Sequence, residues 1–557
     1  MHSASQFVIP IYQRKYSWED KHCKQIWNDI VSAGADEKSG GHFIGSIVYI
    51  TDNAIHNSPL LVIDGQQRLT TLTLLIVALS KAISEDAKHF EGFSPEELKN
   101  SYLINPYGTG EKSRKLILSE IDKDTLFAII DGLDLPSNHS HRIVENFKFF
   151  ENRIIESKNR MEDICRGLSK LLIVHIALER GKDNPQLVFE SMNSKGLDLS
   201  QADLIRNYML MGLDSDLQKH LYDTYWQPME QDFGQESYNR HFDRFMRHYL
   251  TVKMFGKIPR LGDVYDVFKN FAHGYKGGTE ELLQEIRRFS KRYCAIALEQ
   301  ETNVNLRKAF HDIVDLQRDV AYPLLLELYS DYDNDILNQA DFLKAIKLIE
   351  SYIFRRAVCG IPPASLNKTF ATFGKALDKK RYLESMIEHF LSLTSYKRFP
   401  DDKDFKKDIK ERDLYGTRNL NYCFGRLENF GKKELTSVNN CTIEHIMPQS
   451  ITDEWKADLG ENWEYIHKEY LHKLGNLTLT GYNPEYRNRS FREKRDMERG
   501  FKQSTLYMNE GLGKLDEWNE EEIKKRADKL ADKAVQVWVY PERENASILT
   551  KEDISLV

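Results

Sequence analysis

The 557-residue sequence predicts a multidomain α+β protein. Short β-rich runs alternate with helical stretches in the first part, helical patterns fill the middle, and a short β-prone run precedes helices near the carboxyl end. A chain of this length is too long to fold around one hydrophobic core, and typical domain sizes indicate about three compact units. With 41% hydrophobic and 29% charged residues, the composition is that of an ordinary globular protein.

Residues 1–210 are predicted to form an α/β module. The runs FVIPIY, HFIGSIVYI and LLVIDG have the composition of strands, and the stretches Trp18 to Ala33 and Gln66 to Ser80 have helical patterns. A further apolar run, Leu171 to Leu178, precedes a loop at GKDNP. The sequence then reads as a helix, a glycine turn and a capped helix.

Residues 211–405 are predicted to form a helical connecting domain, and residues 406–557 a last module. Segments such as YPLLLELYSDY and FLKAIKLIESYIFRRAV have helical periodicity and few β-type alternations. The charged stretch from Tyr396 to Asp413 is typical of a solvated boundary. Basic and aromatic residues are mixed in Arg244 to Lys257 and in Arg287 to Tyr293. We interpret both segments as amphipathic helices with core aromatics, with backbone contacts to nucleic acid as the secondary alternative.

Several protein classes are excluded by simple counts. The longest apolar stretch, Leu69 to Ala78, is too short for the roughly 20 residues of a membrane span. The first residues lack the pattern of a secretory signal, so a cytoplasmic location is expected. The six cysteines are scattered singly, and we expect inert thiols. The net charge of -7 gives no general affinity for nucleic acid, so any DNA contact must come from local basic patches.

The segment LLVIDGQQRLTTLTLLIVAL predicts a strand, a tight turn at Asp64 and Gly65, and a helix. This order directs the first backbone N–H groups of the helix toward an anion beyond the strand end. Arg68 would add a bidentate phosphate donor, Thr70 and Thr71 would add hydroxyls, and Asp64 could hold a metal ion or a ribose hydroxyl. The alternative is a plain turn followed by a polar first turn of helix.

Three motifs, IPIYQRKYSW, IDGQQRLTTL and FESMNSKGLDLSQADLIRN, resemble the DUF262 family in order and spacing. That resemblance implies a ParB/sulfiredoxin-like fold that binds and hydrolyses a nucleoside triphosphate of unknown identity. It implies a nucleotide site made of Asp64, Gly65, Gln66, Gln67 and Arg68, helped by Gln13 and Arg14. The turn from Asn193 to Gly196 could complete the site, or Asn193 could instead be a helix C-cap. Family members usually carry a further segment before the first motif, so an amino-terminal element is expected to be missing here.

The segment CTIEHIMPQS places Glu444 and His445 at the end of a short strand, and Asn476, Asn483 and Lys494 follow in order. This set resembles the ββα-metal (HNH) nuclease motif. Phosphodiester hydrolysis needs a base for water, a divalent cation and groups that hold the strand. His445 is therefore the candidate base, and Glu444 and Asn483 are the candidate ligands of Mg²⁺ or Mn²⁺. Asn476 is expected to support the site by hydrogen bonds. The candidate DNA phosphate contacts are Lys494, Arg487 and Arg492, with Arg489 and Arg495 nearby.

A lone Glu-His pair is more often an ordinary surface or core feature, and the arginines could form a solvated helix face. The combination IEHIMPQS, LGNLTLTGYN and SFREK, however, resembles the DUF1524 family, an HNH branch with an H-x-x-P signature. Glu444 stands where Asp is more usual, and Asn483 where a second His often occurs. His467 and His472 would have to fold back to reach an ion, so they are not counted as ligands. A structural zinc is not expected, since no cysteine pairs flank the motif.

A DUF262 module joined to a DUF1524 module resembles the single-chain GmrSD class of type IV restriction enzymes. The resemblance implies nucleotide-stimulated, metal-dependent cleavage of modified double-stranded phage DNA, with glucosylated hydroxymethylcytosine DNA as the leading expectation. A phosphorothioate-DNA-sensing NTPase and nickase of a defence system is one alternative. A nucleotide-switched DNA-binding regulator with an inactive nuclease site is another. The sequence leaves the oligomeric state open, with a homo-oligomer as one option.

Overall fold

The computed structural model describes residues 6–37, 40–51, 58–84, 90, 92–193 and 199–542. The chain divides into two compact units, residues 1–231 with 265–284, and residues 232–264 with 285–557. The domain boundaries expected near residues 210 and 405 stay predictions. None of the helices in the described ranges is both long and apolar enough to cross a membrane.

The first unit contains a mixed five-stranded sheet whose strands are β1 (Phe7–Val8), β2 (His42–Thr51), β3 (Leu60–Asp64), β4 (Leu116–Ile117) and β5 (Leu171–Glu179). The strand order is β4-β1-β3-β2-β5. Strand β1 runs parallel to β3 and β4, and β2 runs parallel to β5 but antiparallel to β3. The predicted α/β character of this part of the chain is confirmed.

The helices up to residue 233 are α1 (Asp20–Ala35), α2 (Gln66–Ser84), α3 (Pro95–Leu98), α4 (Glu120–Asp131), α5 (His141–Glu156), α6 (Met161–Ser169), α7 (Pro185–Asn193), α8 (Gln201–Leu210), α9 (Ser215–Leu221) and α10 (Gln227–Phe233). Helix α2 is buried on nearly every side. Its apolar side chains allow this, because a helix that is hydrophobic all round is stable only inside a core. The helix therefore holds the Asp64–Gly65 turn at its start in a fixed position.

The middle of the chain is helical, as predicted, and residues 211–405 contain no strand. Its remaining helices are α11 (Gln235–Lys253), α12 (Val264–His273), α13 (Gly278–Ala297), α14 (Val304–Asp315), α15 (Tyr322–Asp333), α16 (Gln339–Val358), α17 (Leu366–Phe373), α18 (Tyr382–Ser392) and α19 (Asp402–Glu411). In the two basic and aromatic segments, Phe245, Tyr249 and Tyr293 are buried, whereas Arg287 pairs with Asp232. The aromatics thus belong to the core, as the amphipathic interpretation expects.

The last part of the chain combines helices with a two-stranded sheet. Its elements are α20 (Leu420–Asn429), β6 (Thr442–His445), α21 (Asp453–Leu459), α22 (Trp463–Tyr470), β7 (Leu477–Thr480), α23 (Asn483–Tyr486), α24 (Phe491–Asp496) and α25 (Glu520–Val537). Strands β6 and β7 are antiparallel, and His445 lies opposite Leu477. Ile446, Trp455 and Trp518 belong to the core beneath them. The strand predicted before His445 is thereby confirmed.

Candidate functional site

His445 is the last residue of β6 and is 5% exposed. Pro448 follows three positions later, and the chain leaves the strand between the two. Since proline has no N–H to donate to a strand ladder, the sequence itself ends the strand here. The imidazole is thus placed at a strand end, as the sequence predicts.

Three side chains surround the His445 ring. Its Nε2 lies 3.0 Å from Nδ1 of His472, and its Nδ1 lies 3.4 Å from the amide nitrogen of Gln449. The Tyr415 ring meets His445 edge-on at 4.4 Å between centroids and stacks on His472 at 5.2 Å. Burial, together with the nearby His472 and Lys494, lowers the pKa of His445 to about 4. The ring is therefore uncharged at neutral pH, which a proton acceptor requires.

Asn476 is fully buried, and its side-chain amide connects the loop after β6 to the segment before β7. The Met447 amide donates to its Oδ1 at 2.8 Å, and its Nδ2 donates to the carbonyls of Met447 and Leu471 at 2.9 and 3.0 Å. The Trp518 indole also donates to Oδ1, at 3.1 Å. These bonds fix the segment that follows His445 and the segment that carries His472. Asn476 therefore holds the loop rather than facing a ligand.

Lys494 lies in the protein interior, so the prediction that it contacts a DNA phosphate is wrong. Its side chain is fully buried, and Nζ donates to Glu444 Oε1 at 2.6 Å and to the carbonyls of His445 and Ile446. These three acceptors use all the protons of the ammonium group. The ion pair compensates for burying the Glu444 carboxylate, whose pKa burial nevertheless raises. The role shown for Lys494 is to hold the end of β6.

Two predicted cation ligands lie beside the same strand. Asn483 donates through Nδ2 to the Ile443 carbonyl at 2.8 Å, so its Oδ1 and the second oxygen of Glu444 are the donors that these residues could offer. Among the described residues, no group of three or more His, Cys, Asp or Glu side chains is placed to hold a metal ion. Mg²⁺ is often bound by one or two protein oxygens together with water and substrate phosphate. Glu444 and Asn483 could each offer one oxygen to such an ion, and the described residues form no closed protein cage.

Arginines next to this centre face solvent. Arg487, Arg489 and Arg492 are exposed. Arg487 donates to the Pro484 carbonyl and Arg492 to that of Asp516, so neither bond engages a carboxylate. Arg495 is instead held by carboxylates on Asp496 and Asp516. The first three are consequently the better candidates for phosphate contact.

The predicted turn in the first unit is formed by Asp64 at the end of β3 and by Gly65. Gly65 has a φ of 93°, and a Cβ atom there would lie 2.9 Å from the Ser46 carbonyl oxygen. Only glycine tolerates both conditions. The backbone of the turn therefore approaches β2 closely, and α2 starts directly after it.

The polar residues around this turn mostly face inward. Gln13 donates to the Ile63 carbonyl at 2.9 Å, Gln66 donates to Gln13 at 3.1 Å, and Gln67 accepts from the Ser17 amide at 2.8 Å. All three glutamines are buried, and they join the first motif to the turn.

The prediction that the hydroxyls of Thr70 and Thr71 contact a phosphate is wrong. Both donate to carbonyls one helical turn earlier at 2.9 Å, and both side chains are buried. Threonine commonly makes this bond inside a helix. The two hydroxyls are thus used in hydrogen bonds within the helix and do not reach a phosphate.

The groups of the predicted nucleotide site that are only partly buried are Arg14, Asp64 and Arg68. Burial lowers the pKa of both arginines, and the Asp64 carboxylate opposes that shift in each. Arg68 donates to the Ser46 carbonyl at 2.6 Å, and a Cβ atom on Gly45 would lie 2.6 Å from its guanidinium. Two partly desolvated cations next to a helix start form a favourable place for an anion.

Arg206 of α8 connects the first motif to the end of this module. It donates to the Tyr12 carbonyl at 2.8 Å and pairs with Asp203 and Glu230 at 2.6 Å each. Asn193 is the last residue of α7, and residues 194–196 of the predicted turn lie outside the described residues.

Two family models match the chain. The model of the N-terminal domain of the GmrSD restriction endonuclease matches residues 1–210, and that of the C-terminal domain of GmrSD restriction endonucleases matches residues 399–533. The chain belongs to the GmrSD family of restriction endonucleases. No curated protein matches the sequence at a significant level.

As a GmrSD restriction endonuclease, the protein is a nuclease and its substrate is DNA. The C-terminal match contains β6, β7 and the His445 surroundings, and the N-terminal match contains Arg14, Asp64 and Arg68. The two sites predicted from the sequence thus fall in different GmrSD domains.

Sequence reasoning missed several members of these sites. The pairing of His472 with His445 and the cover that Tyr415 provides join residues far apart in the chain. Gln449 is four positions after His445 and could have been noticed as part of the same motif. Arg206 stands inside the third motif of the GmrSD N-terminal domain, which is the signal that could have identified it.

Proposed function

We propose that this protein is a nucleotide-regulated, divalent-metal-dependent DNA endonuclease of anti-phage defence, with an HNH-type centre at His445. The observation that carries this proposal is the placement of the His445 imidazole at the end of β6, with His472 at hydrogen-bonding distance and Asn476 holding the adjoining loop.

The proposed chemistry assigns one step to each side chain. His445 accepts a proton from the attacking water, and His472 keeps the ring in its orientation. Glu444 and Asn483 would hold the divalent ion. When bound, that ion would neutralise the charge on the phosphate. Arg487, Arg489 and Arg492 hold neighbouring phosphates.

The regulatory half of the proposal rests on the first unit. Arg14 and Arg68 bind the phosphates of a nucleoside triphosphate at the start of α2, and Asp64 contacts its ribose or an associated cation. NTP hydrolysis at this site belongs to the same proposal. The support is the pair of partly desolvated guanidinium groups of Arg14 and Arg68 near Asp64, with Gly45 leaving room for that of Arg68.

DNA that carries modified bases is the proposed substrate, with glucosylated hydroxymethylcytosine as the first choice. Glucosylated, phosphorothioate-bearing and unmodified DNA should be digested with and without NTP and Mg²⁺. The proposal expects cleavage of the glucosylated DNA that requires Mg²⁺ and rises with NTP. Cleavage of phosphorothioate DNA alone would favour the sensing alternative.

A second candidate, a DNA-binding regulator with an inactive nuclease centre, is favoured by one observation. The Glu444 carboxylate is engaged by Lys494, and the described residues hold no three-ligand cluster for a metal ion. DNA binding without nicking of any substrate under Mg²⁺ or Mn²⁺ would decide for this candidate.

A further inference from the structure

A cavity of about 440 Å³ lies in the second unit, between α16, the start of α20 and the segment from Arg412 to Asn419. Its volume falls within the range of roughly 300 to 1,000 Å³ that is typical of small-molecule sites. The functions proposed for His445 and for Arg68 do not use it.

Three arginines line the cavity, Arg318, Arg412 and Arg418. Within the part of the chain that the structure describes, none of the three is held in an ion pair. Arg412 packs against Gly360, where a Cβ atom would collide with its guanidinium. The absence of a side chain at Gly360 therefore helps to fix the position of this cation. The carboxylate of the lining residue Asp413 accepts from the amides of Tyr415 and Gly416. The cavity therefore carries a net positive charge.

The apolar part of the lining comes from two helices. Phe354 and Val358 of α16 and Leu420 and Cys423 of α20 are buried residues that line it. A bare phosphate would use the arginines and leave this apolar part without a partner. A ligand that carries both an anionic group and a flat, weakly polar ring matches the two halves of the lining.

The segment that lines the cavity also contacts the nuclease centre. The Leu414 amide donates to the His472 carbonyl at 3.0 Å, and the Tyr415 ring covers His445 and His472. A ligand that fills the cavity would therefore order the same loop that shields the proposed base.

We propose that this cavity is a nucleotide-binding site, in which the arginines bind phosphate and the apolar part of the lining receives the base. Either a free nucleotide or an unstacked nucleotide of the DNA strand supplies this chemistry. The inference adds a second ligand site to the proposed function and does not depend on the site at Arg68.

Hydrogen–deuterium exchange of the full chain, with adenosine triphosphate or a short single-stranded DNA oligonucleotide, tests this site. We expect slower exchange of the amides in residues 412–423. Protection by adenosine triphosphate would identify a free nucleotide as the source, and protection by the oligonucleotide alone would identify the strand.

Ala357→Trp is the decisive variant, because Ala357 lines the cavity yet is exposed, so that the indole fills the space without disturbing a core. It should abolish the protection, and Arg318→Ala with Arg418→Ala should weaken binding by about ten-fold or more. Arg260→Ala, which removes an exposed arginine away from the cavity lining, should retain the protection. Absence of protection by both ligands, or protection that persists in Ala357→Trp, would overturn the proposal. Cleavage is not measured, so failure of the nuclease proposal would be seen separately.

Discussion

Nε2 of His445 lies 3.0 Å from Nδ1 of His472, so two imidazoles share one hydrogen bond at the end of β6. The two residues are 27 positions apart, and the Tyr415 ring contacts both. Gln449 lies 3.4 Å from the other ring nitrogen, so the neutral imidazole is kept in one defined orientation, which a general base requires.

Replacing His472 should therefore slow cleavage without unfolding the protein. We expect His472→Ala to lower the cleavage rate by about 10- to 100-fold, the usual range for a residue that orients a catalytic group. Single-turnover nicking assays would measure this effect. His273→Ala, at an exposed histidine, is the control and should keep the full rate. An unchanged rate in His472→Ala would show that the imidazole pair has no part in the chemistry.

The buried pair of Lys494 and Glu444 should matter for stability. Lys494→Met leaves a carboxylate without its cation in the interior, and the free energy of unfolding should fall by about 3 to 5 kcal/mol. Adding Glu444→Gln should restore part of the loss, and denaturant titration measures both. Lys456→Met removes an exposed pair with Asp453 and should cost less than about 1 kcal/mol. An equally small loss for Lys494→Met would refute the structural role.

The exposed arginines should govern DNA affinity. Arg492→Ala should weaken DNA binding and reduce the slope of log affinity against log salt by about 1, since one phosphate contact is lost. Binding titrations at several salt concentrations measure this slope, and Arg260→Ala, at an exposed arginine in another part of the chain, is the matched control. A slope that stays the same in Arg487→Ala, Arg489→Ala and Arg492→Ala would place the DNA elsewhere.

Glycine at position 45 should be required for nucleotide binding. Gly45 has a φ of 115°, and a methyl group there would displace the Arg68 guanidinium from the Ser46 carbonyl. We expect Gly45→Ala to weaken NTP binding by about ten-fold, as measured by calorimetry. Gly40→Ala adds a methyl group in open space and should bind normally. Equal affinities for the two variants would contradict the placement of Arg68 in the nucleotide site.

Stability should also depend on pH through Asp312. Burial and the neighbouring Glu350 raise the pKa of this carboxyl to about 7, above its value in an unfolded chain. The folded state therefore binds the proton more tightly, and this group's contribution to stability is lost as the pH rises from about 4 to about 7. Asp312→Asn should remove that trend, and unfolding at several pH values would measure the difference. Parallel pH profiles for the two proteins would contradict the shift.

Local patterns were sufficient to predict β3, the Asp64–Gly65 turn and α2, because alternating and helical periodicity lie within single segments. The strand that ends at His445 was predictable for the same reason. The pairing of Lys494 with Glu444 spans 50 positions, and no local pattern distinguishes a lysine that enters the core from one that faces DNA. Likewise, the burial of Thr70 and Thr71 follows from packing around α2, and the turn signal alone favoured the opposite orientation.

Measuring DNA cleavage by the His445→Ala variant tests most directly the claim that His445 is the base of the nuclease centre. The variant and the unchanged protein should be compared on glucosylated DNA with Mg²⁺ and NTP, and NTP binding should be measured in parallel. The account predicts that cleavage is lost while NTP binding persists. Cleavage at an undiminished rate by the folded variant would contradict it.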